Sequence, residues 1–269
     1  MDNYKQQIIE IFNSRTAYDQ EKGSHHPREA ILLLESIPLQ QGQKILDIAT
    51  GTGLVAIPAA LKVGLEGYVI GVDISPGMLD QAREKVTAAG LKNIEFIEED
   101  AEHINFNDGS FDVIFCCSAI VYFIDIPASL QKLYRFLKPG GYVAFTCPPE
   151  TAYMASVYTT ICAKFFGVEL PHILATLGTP EKCHNLLQQA GFTDIKMEIE
   201  PRGSYGNFSN RKLSEKLLNL IFKAHPLLAE ISPEQLDQLQ VEYKSEIEKL
   251  VTDQGVWEDT TTFFVKARK

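Results

Sequence analysis

The chain has 269 residues, of which 45% are hydrophobic, and its formal net charge is −10. This length suits one large domain or a core with a cap, and the lack of an apolar run of about 18 residues argues against a transmembrane span. The acidic balance disfavours nucleic acid or an anionic membrane as a partner, because both need a basic footprint. The stretch 1–7 lacks a basic and apolar signal sequence, so we expect a soluble cytoplasmic protein.

Residues 1–40 are predicted to form two helices joined by a polar loop. Apolar residues recur at helical spacing on either side of residues 18–28, and Pro27 is suited to the first turn of the second helix. The loop contains Tyr18 and the adjacent histidines His25 and His26. Taken by itself, this segment is an ordinary solvated loop.

The stretch Lys44–Val55 is predicted to be a buried strand that ends at a glycine-rich turn before a helix. Gly51 and Gly53 let a ligand approach the backbone closely, since glycine has no side chain in the way. The helix that follows points its N-terminus at the same place. This arrangement indicates a cradle for a nucleotide or a nucleotide-like cofactor.

Two cofactors compete for this cradle. The sequence from Gly51 to Ala56 fits G-x-G-x-x-A, and Asp73 lies about 20 residues further on, where nicotinamide enzymes place the acid that binds a ribose. Asp47, at the end of the strand, argues against a dinucleotide because its carboxylate would repel a pyrophosphate. The sulfonium and ammonium groups of S-adenosylmethionine would instead be attracted to it. Asp47 therefore favours S-adenosylmethionine.

Further strands follow, with polar or small residues where they end. Tyr68–Asp73 ends in the expected ribose-binding acid, and Ile94–Ile97 leads to Asp100, which could accept a hydrogen bond from adenine. Phe111–Ser118 is a fourth strand, and Tyr142–Thr146 is a fifth that follows a turn. Alternating strands and helices predict a parallel sheet with helices on both faces, whose ligands bind at the carboxyl ends of the strands.

These segments resemble the class I S-adenosylmethionine-dependent methyltransferases, and most of all their ubiquinone and menaquinone biosynthesis branch. The resemblance rests on Ile45–Gly53, Phe111–Asp112 and Lys138–Gly141, and it covers about residues 44–146. Ala49 departs from it by standing where the family often has a glycine. The resemblance implies an α/β fold: a Rossmann-like, seven-stranded, mostly parallel sheet with helices on both faces and a mostly helical cap.

The resemblance also implies S-adenosyl-L-methionine as the cofactor and S-adenosyl-L-homocysteine as its product. In similar enzymes the N-terminal segment closes over the cofactor as a lid, which would bring Tyr18 to the methionine end. The expected cofactor-binding residues are Tyr18, Asp47, Ala49, Thr50, Gly51, Gly53, Asp73, Ile74, Met78, Asp100, Ala101, Glu102, Cys117 and Ser118.

Core and cap segments are expected to alternate along the chain. Aromatic residues after the fifth strand, among them Tyr153, Met154, Tyr158, Phe165 and Phe166, either roof an apolar substrate pocket or pack the cap. The closing strand lies antiparallel to its neighbours in similar proteins. The expected segments are an N-terminal helical lid (1–40), the cofactor-binding Rossmann-like core (41–150), a cap insertion (151–178), a core helix and sixth strand (179–202), a helical cap insertion (203–256) and the closing core strand (257–269).

The candidate catalytic residues are His25, His26 and Tyr122. Many relatives carry a histidine where Tyr122 stands, whereas a tyrosine with its ordinary pKa of about 10 is a poor general base. Tyr122 therefore either packs against the core or takes part in catalysis. One of the two histidines lines the active site as a base, or both are surface residues or helix caps.

The sequence predicts no metal site. Adjacent histidines usually cannot share one metal ion, and no grouped Asp, Asn and His pattern of the kind used by cation-dependent catechol methyltransferases is present. The five cysteines are odd in number and lack a C-x-x-C spacing, which argues against both a disulfide framework and a zinc site.

We expect a small-molecule methyltransferase, of the kind found in secondary metabolism, that acts as a monomer or homodimer. It would transfer a methyl group by in-line displacement to an O, N or C nucleophile of a small hydrophobic or aromatic metabolite. One alternative is an S-adenosylmethionine-binding protein without turnover, which the missing histidine at Tyr122 suggests. The other is an NAD-dependent oxidoreductase, against which Asp47 counts.

Overall fold

The computed structural model describes residues 3–21, 24–208, 210–228 and 231–269. The strands are Lys44–Ile48 (β1), Tyr68–Asp73 (β2), Ile94–Glu98 (β3), Phe111–Cys116 (β4), Leu137–Cys147 (β5), Thr193–Glu200 (β6), Gly203–Gly206 (β7), Val256–Asp259 (β8) and Thr262–Arg268 (β9). The α-helices are Asn3–Asn13 (α1), His26–Glu35 (α2), Ala56–Val63 (α3), Pro76–Ala89 (α4), Ile126–Phe136 (α5), Ala155–Phe166 (α6), Pro180–Gln189 (α7), Glu215–Ile221 (α8) and Pro233–Glu248 (α9). Within these segments, every helix is too short or too polar to cross a lipid bilayer.

Seven strands form the main sheet in the order β3-β2-β1-β4-β5-β9-β6. Strand β1 pairs in parallel with both β2 and β4. The strand order therefore runs outward from β1 in both directions and reverses at this point. The N–H of Gly140 donates to the carbonyl of Lys269, and the N–H of Lys269 donates to the carbonyl of Gly141, both at 2.9 Å. The end of β9 thus lies beside the start of β5, and these two strands are antiparallel. The expected α/β fold is confirmed.

Two helices next to the sheet, α4 and α5, begin at residues whose side chains cap them. The hydroxyl of Ser75 accepts a hydrogen bond from the N–H of Met78 at 3.3 Å at the start of α4. The carboxylate of Asp125 accepts one from the N–H of Ala128 at 2.9 Å at the start of α5. Both helices also carry proline in their first turn, where a missing N–H costs nothing. These caps define where the loops that follow β2 and β4 end and the helices α4 and α5 begin.

The chain divides into two compact units. One consists of residues 8–147, 181–198 and 264–269, and its core contains Leu33, Ile45, Val69 and Phe115, all fully buried. The other consists of residues 1–7, 148–180 and 199–263 and has its own core. In this second core Met154 and Tyr158 are buried, with Phe165 and Phe166 packed against it, so these four aromatic and sulfur-containing side chains serve internal packing.

Several boundaries differ from the predictions. Strand β5 begins at Leu137, within the stretch that was predicted to be a turn. Leu137 already pairs with Phe111 of β4, and the register of the two strands shifts between Phe111 and Val113. Residues 203–206 were expected to be helical but form β7, which pairs antiparallel with β8 and places Tyr205 opposite Trp257. A strand of four residues, two of which are glycines, carries no periodic signal that could reveal it.

The closing segment is also divided. It was expected to be one strand from residue 257, whereas β8 ends at Asp259 and β9 starts at Thr262. The N–H of Thr261 donates to the Asp259 carboxylate at 2.9 Å, which turns the chain between the two strands. A side-chain-to-backbone hydrogen bond of this kind can interrupt a strand. The pattern of apolar residues does not reveal it, so the sequence was read as one strand.

Candidate active site

The candidate site lies at the carboxyl ends of β1 and β4, where the strand order reverses. Open parallel sheets bind their ligands at such a switch point. A pocket there is lined by Tyr18 and His26 from the N-terminal segment, by the turn after β1, and by Cys117 and Ser118 after β4. The sequence-predicted residues at three separate chain positions are therefore brought together in the same compact unit.

Asp47 is buried at the end of β1 and lines this pocket. Its Oδ2 accepts a hydrogen bond from the Thr50 hydroxyl at 2.6 Å, whereas its Oδ1 is buried without a hydrogen-bond partner among the described residues. Burial raises the pKa of Asp47 to about 7, whereas the hydroxyl of Thr50 and the nearby backbone N–H of Ala56 oppose this rise. An unpartnered carboxylate oxygen in a pocket is suited to a cationic group of a ligand.

The turn after β1 is open on its ligand side. A Cβ atom added to Gly51 would meet no atom within 4 Å, and the φ of this residue is +54°. At Gly53, with φ +80°, an added Cβ would lie 2.9 Å from the Ile57 side chain. Ala49 adopts a left-handed φ of +52° although it has a side chain, which is a strained conformation. Gly51 and Gly53 adopt these left-handed conformations without strain, whereas Ala49 does so at a cost.

Asp73 links β2 to the same turn. Its Oδ2 accepts a hydrogen bond from the N–H of Gly51 at 2.7 Å, and its Oδ1 accepts one from the N–H of Ser75 at 2.8 Å. Burial raises the pKa of Asp73, and these backbone bonds oppose the rise. Nearby, Ile74 is half-buried and Met78 is buried in the first turn of α4.

The residues after β3 form a compact turn. The buried Asp100 accepts a hydrogen bond from the N–H of Glu102 at 3.0 Å, and Ala101 between them is half-buried. The Glu102 carboxylate accepts hydrogen bonds from the backbone N–H groups of Ile124 at 2.9 Å and Asp125 at 2.8 Å. Glu102 was predicted to bind the cofactor, and in the structure its side chain ties this turn to the start of α5.

Ser118 has a left-handed φ of +54° at the end of β4. Its N–H donates to the Thr146 hydroxyl at 2.7 Å, and its own hydroxyl donates to Glu29 Oε2 at 2.6 Å. Burial raises the pKa of the neighbouring Cys117 thiol to about 12, so this thiol is protonated at neutral pH. Cys117 is therefore a packing or backbone contact and not a nucleophile.

The segment after α1 is held against the turn and α4. The Thr52 hydroxyl donates a hydrogen bond to the Asp19 carboxylate, whose other oxygen lies 2.6 Å from Lys85 Nζ. At the end of α1, Asn13 accepts hydrogen bonds from the Ser75 hydroxyl at 2.7 Å and the Gly77 N–H at 2.9 Å. These contacts are what a lid over the turn requires, and the lid role stays a prediction.

Tyr18 contributes its ring to this arrangement. The ring stacks on His26 with centroids 5.1 Å apart and planes at 12°, and the Arg15 guanidinium lies 4.3 Å from the Tyr18 centroid. Burial raises the pKa of Tyr18 and lowers the pKa of His26 to about 4, to which the neighbouring His25 also contributes. His26 is therefore neutral at physiological pH.

Glu29 is a site residue that the sequence analysis missed. It lies in the first turn of α2 with its carboxylate buried, 3.6 Å from His25 Nε2 and 4.0 Å from His26 Nδ1. The spacing of three and four residues between these histidines and Glu29 is the signal that could have revealed it, since such residues share a helix face. Asp19 was not among the predicted cofactor-binding residues, and its partners Thr52 and Lys85 lie far along the chain.

Tyr122 lies in a 3₁₀ turn before α5 rather than in a helix. Its ring packs edge-on against Phe12 with centroids 5.9 Å apart, and burial raises its pKa. A raised pKa leaves even less of the phenolate at neutral pH, so Tyr122 is less available as a general base than an exposed tyrosine. This geometry agrees with the packing interpretation of Tyr122.

Comparisons with known proteins complete the description of the site. A family model described as a methyltransferase domain matches residues 45–141. Aklanonic acid methyltransferase DauC of Streptomyces sp. (strain C5) is 35% identical over 147 residues, covering 54% of this chain and 67% of that protein. A demethylmenaquinone methyltransferase of Bacteroides fragilis is 33% identical over 170 residues, covering 57% of this chain and 69% of that protein.

Solved structures show the same fold. Phosphoethanolamine N-methyltransferase 2 of Haemonchus contortus, in complex with phosphomonomethylethanolamine and S-adenosylhomocysteine, is 26% identical with a TM-score of 0.57. The match covers 90% of this chain and 52% of that longer one.

Proposed function

Because this chain belongs to the class I S-adenosylmethionine-dependent methyltransferases, we propose that it methylates an O, N or C nucleophile of a small hydrophobic or aromatic metabolite. The observation that carries the proposal is the buried Asp47 Oδ1, which lacks a partner among the described residues and lines the pocket at the open glycine turn. When bound, the cofactor supplies an activated sulfonium methyl group. The protein then has mainly to align the acceptor and exclude water.

The residues around the turn fit this cofactor. Asp47 would hold the ammonium of its methionine end, and Gly51 would let that end approach the backbone. Each oxygen of Asp73 accepts one backbone hydrogen bond and keeps a lone pair for a ribose hydroxyl. Asp100, at the end of β3, would accept a hydrogen bond from the adenine amino group. Tyr18 would close the methionine end.

The same residues argue against a dinucleotide. A pyrophosphate at the turn would face the carboxylate of Asp47, and burial there makes an added negative charge expensive. The glycine pattern alone fits both S-adenosylmethionine and a dinucleotide, and the Asp47 side chain favours S-adenosylmethionine.

The choice of acceptor class is supported by three observations. Both curated relatives are named for small-molecule acceptors, aklanonic acid and demethylmenaquinone. In addition, the net charge of −10 makes a polyanionic acceptor unfavourable. Apolar side chains at the pocket, including Ala30, Leu54 and Val55, suit a hydrophobic neighbour.

The first test is calorimetric titration of protein stripped of co-purified cofactor with S-adenosylhomocysteine, with NAD as the control ligand. We expect S-adenosylhomocysteine to bind at micromolar concentration and NAD not to bind. A preference for NAD would overturn the cofactor assignment.

The second test incubates the protein with S-adenosylmethionine and a panel of phenols, aromatic carboxylic acids and quinols. Mass spectrometry would detect S-adenosylhomocysteine together with an acceptor that has gained one methyl group. Binding of the cofactor product without turnover on any acceptor would favour a cofactor-binding protein that is not an enzyme.

A further inference from the structure

We propose that His25, His26 and Glu29 form a binding site for a divalent first-row transition metal ion of the zinc class. One ligand atom from each of the three residues lies within 4.8 Å of the other two. Glu29 Oε1 is 3.6 Å from His25 Nε2, and Glu29 Oε2 is 4.0 Å from His26 Nδ1. Metal bonds of about 2.0–2.2 Å put neighbouring ligand atoms roughly 3–4 Å apart. Side-chain movements of about 1 Å would therefore bring all three ligand atoms within bonding distance of one metal ion.

The start of α2 makes this set possible for two adjacent histidines. His25 immediately precedes α2 and His26 is its first residue, and in the structure the two imidazole rings lie side by side. Their ring centroids are only 4.6 Å apart. Glu29 follows four residues after His25 and three after His26, and its carboxylate oxygens lie within 4.0 Å of a nitrogen of each ring. The usual objection to adjacent histidines as shared ligands does not apply at this helix start.

The donor atoms have the chemistry that such an ion prefers. Two imidazoles and one carboxylate bind zinc and its first-row neighbours, whereas calcium and magnesium prefer oxygen ligands. Glu29 is buried, with 3% of its side chain exposed, and a buried carboxylate is stabilised by a nearby cation. His26 Nδ1 is buried without a hydrogen-bond partner among the described residues, so a lone pair on this nitrogen would be available to a metal.

Surrounding residues hold the ligands in place. The Ser118 hydroxyl donates to Glu29 Oε2 at 2.6 Å, and the Ser118 backbone is in turn bound to Thr146. Tyr18 stacks on the His26 ring and restricts its rotation. Metal ligands are commonly oriented by hydrogen bonds and contacts of this kind.

The location gives the site a use. His26 also lines the pocket that contains Asp47 and Cys117. Three protein ligands leave at least one coordination position open, as in zinc sites that bind a substrate. If the proposed function holds, an oxygen or nitrogen of the methyl acceptor would occupy that position. The metal site itself does not depend on the proposed function.

The test is metal binding by the full chain, measured without any methyl transfer. Protein stripped with a chelator is titrated with Co²⁺ while the visible absorption of the bound ion is recorded, and Zn²⁺ is then added as a competitor. We expect one Co²⁺ per chain at micromolar concentration and its displacement by Zn²⁺. No binding to the wild-type protein would overturn the proposal.

Substitutions then locate the ion. We expect His25→Ala and Glu29→Gln each to weaken binding at least tenfold, because each removes one of three ligands. His184→Ala, which changes an exposed histidine outside the pocket, is the matched control and should leave binding unchanged. Equal binding by Glu29→Gln and the wild type would place the ion elsewhere and refute the site.

A fold check accompanies each variant. Circular dichroism and S-adenosylhomocysteine titration in metal-free buffer show whether the variant is folded. If Glu29→Gln unfolds, His25→Ala and the wild-type Co²⁺ spectrum decide the question, since coordination by imidazole and carboxylate has its own absorption. If the wild-type protein binds Co²⁺ but does not bind S-adenosylhomocysteine, the result counts against the proposed function and not against the metal site.

Discussion

The carboxylate of Asp73 and the backbone N–H of Gly51 are joined by a hydrogen bond of 2.7 Å. This bond connects the end of β2 with the turn after β1, while the other oxygen of Asp73 accepts from the N–H of Ser75. A carboxylate oxygen can accept two hydrogen bonds, so both oxygens keep capacity for a ligand. One side chain thus shapes the turn and remains available to a ribose.

Replacing Asp73 by Ala is expected to weaken S-adenosylhomocysteine binding by at least tenfold. Each charge-assisted hydrogen bond that is lost contributes roughly 1.5–3 kcal/mol. Asp73→Asn is the matched control, because its neutral amide oxygen still accepts one hydrogen bond, so the loss should be smaller than in Asp73→Ala. Calorimetric titration measures both variants. An affinity of Asp73→Ala within twofold of the wild type would show that Asp73 does not bind the ribose.

The pH dependence of cofactor binding is expected to follow Asp47. Burial raises the pKa of this carboxyl to about 7, so it loses its charge as the pH falls through 7. Its attraction for the ligand ammonium, which stays protonated between pH 5.5 and about 8, is therefore present above that pKa and lost below it. We expect affinity for S-adenosylhomocysteine to fall up to about tenfold per pH unit below pH 7.

Asp47→Asn provides the comparison for this prediction. The variant carries no titrating group at this position, so its affinity should be low and nearly flat over the same pH range. Titrations at pH 5.5, 6.5 and 7.5 measure the slope for both proteins. A wild-type slope that persists unchanged in Asp47→Asn would assign the pH dependence to another group.

Replacing Ala49 by Gly is expected to stabilise the protein by up to about 1 kcal/mol. The left-handed φ of +52° costs an alanine roughly 1–2 kcal/mol, of which the greater freedom of glycine in the unfolded chain takes back about 0.5–1 kcal/mol. Urea unfolding measures the difference in free energy. Ala88→Gly in α4 is the control, because it should destabilise by about 1 kcal/mol. A loss of stability in Ala49→Gly would contradict the strain argument.

Replacing Tyr122 by Phe is expected to leave folding and methyl transfer nearly unchanged. The ring contact with Phe12 is kept, and a hydroxyl with a raised pKa is a poor base. Turnover with an accepted substrate and S-adenosylhomocysteine affinity are the two measurements. Complete loss of turnover with normal affinity would instead make Tyr122 a catalytic residue.

The sheet and the glycine turn could be predicted because their signals are local. The apolar run of β1, the turn at Gly51 and the acid at the end of β2 lie within short stretches of chain, and β3 was predicted to within one residue of its end. Apolar periodicity and turn residues report directly on backbone conformation. The short strand β7 escaped prediction because its pairing with Val256–Asp259 depends on a distant segment.

The sequence by itself therefore determined the fold, the cofactor class and the residues at the strand ends. Only the tertiary structure brought Glu29 to Ser118 across 89 positions and Asp19 to Thr52 across 33. It also left one oxygen of Asp47 buried without a partner among the described residues. Such contacts depend on how separate elements pack, and packing is set by the whole core and not by any stretch of the chain that a pattern can mark.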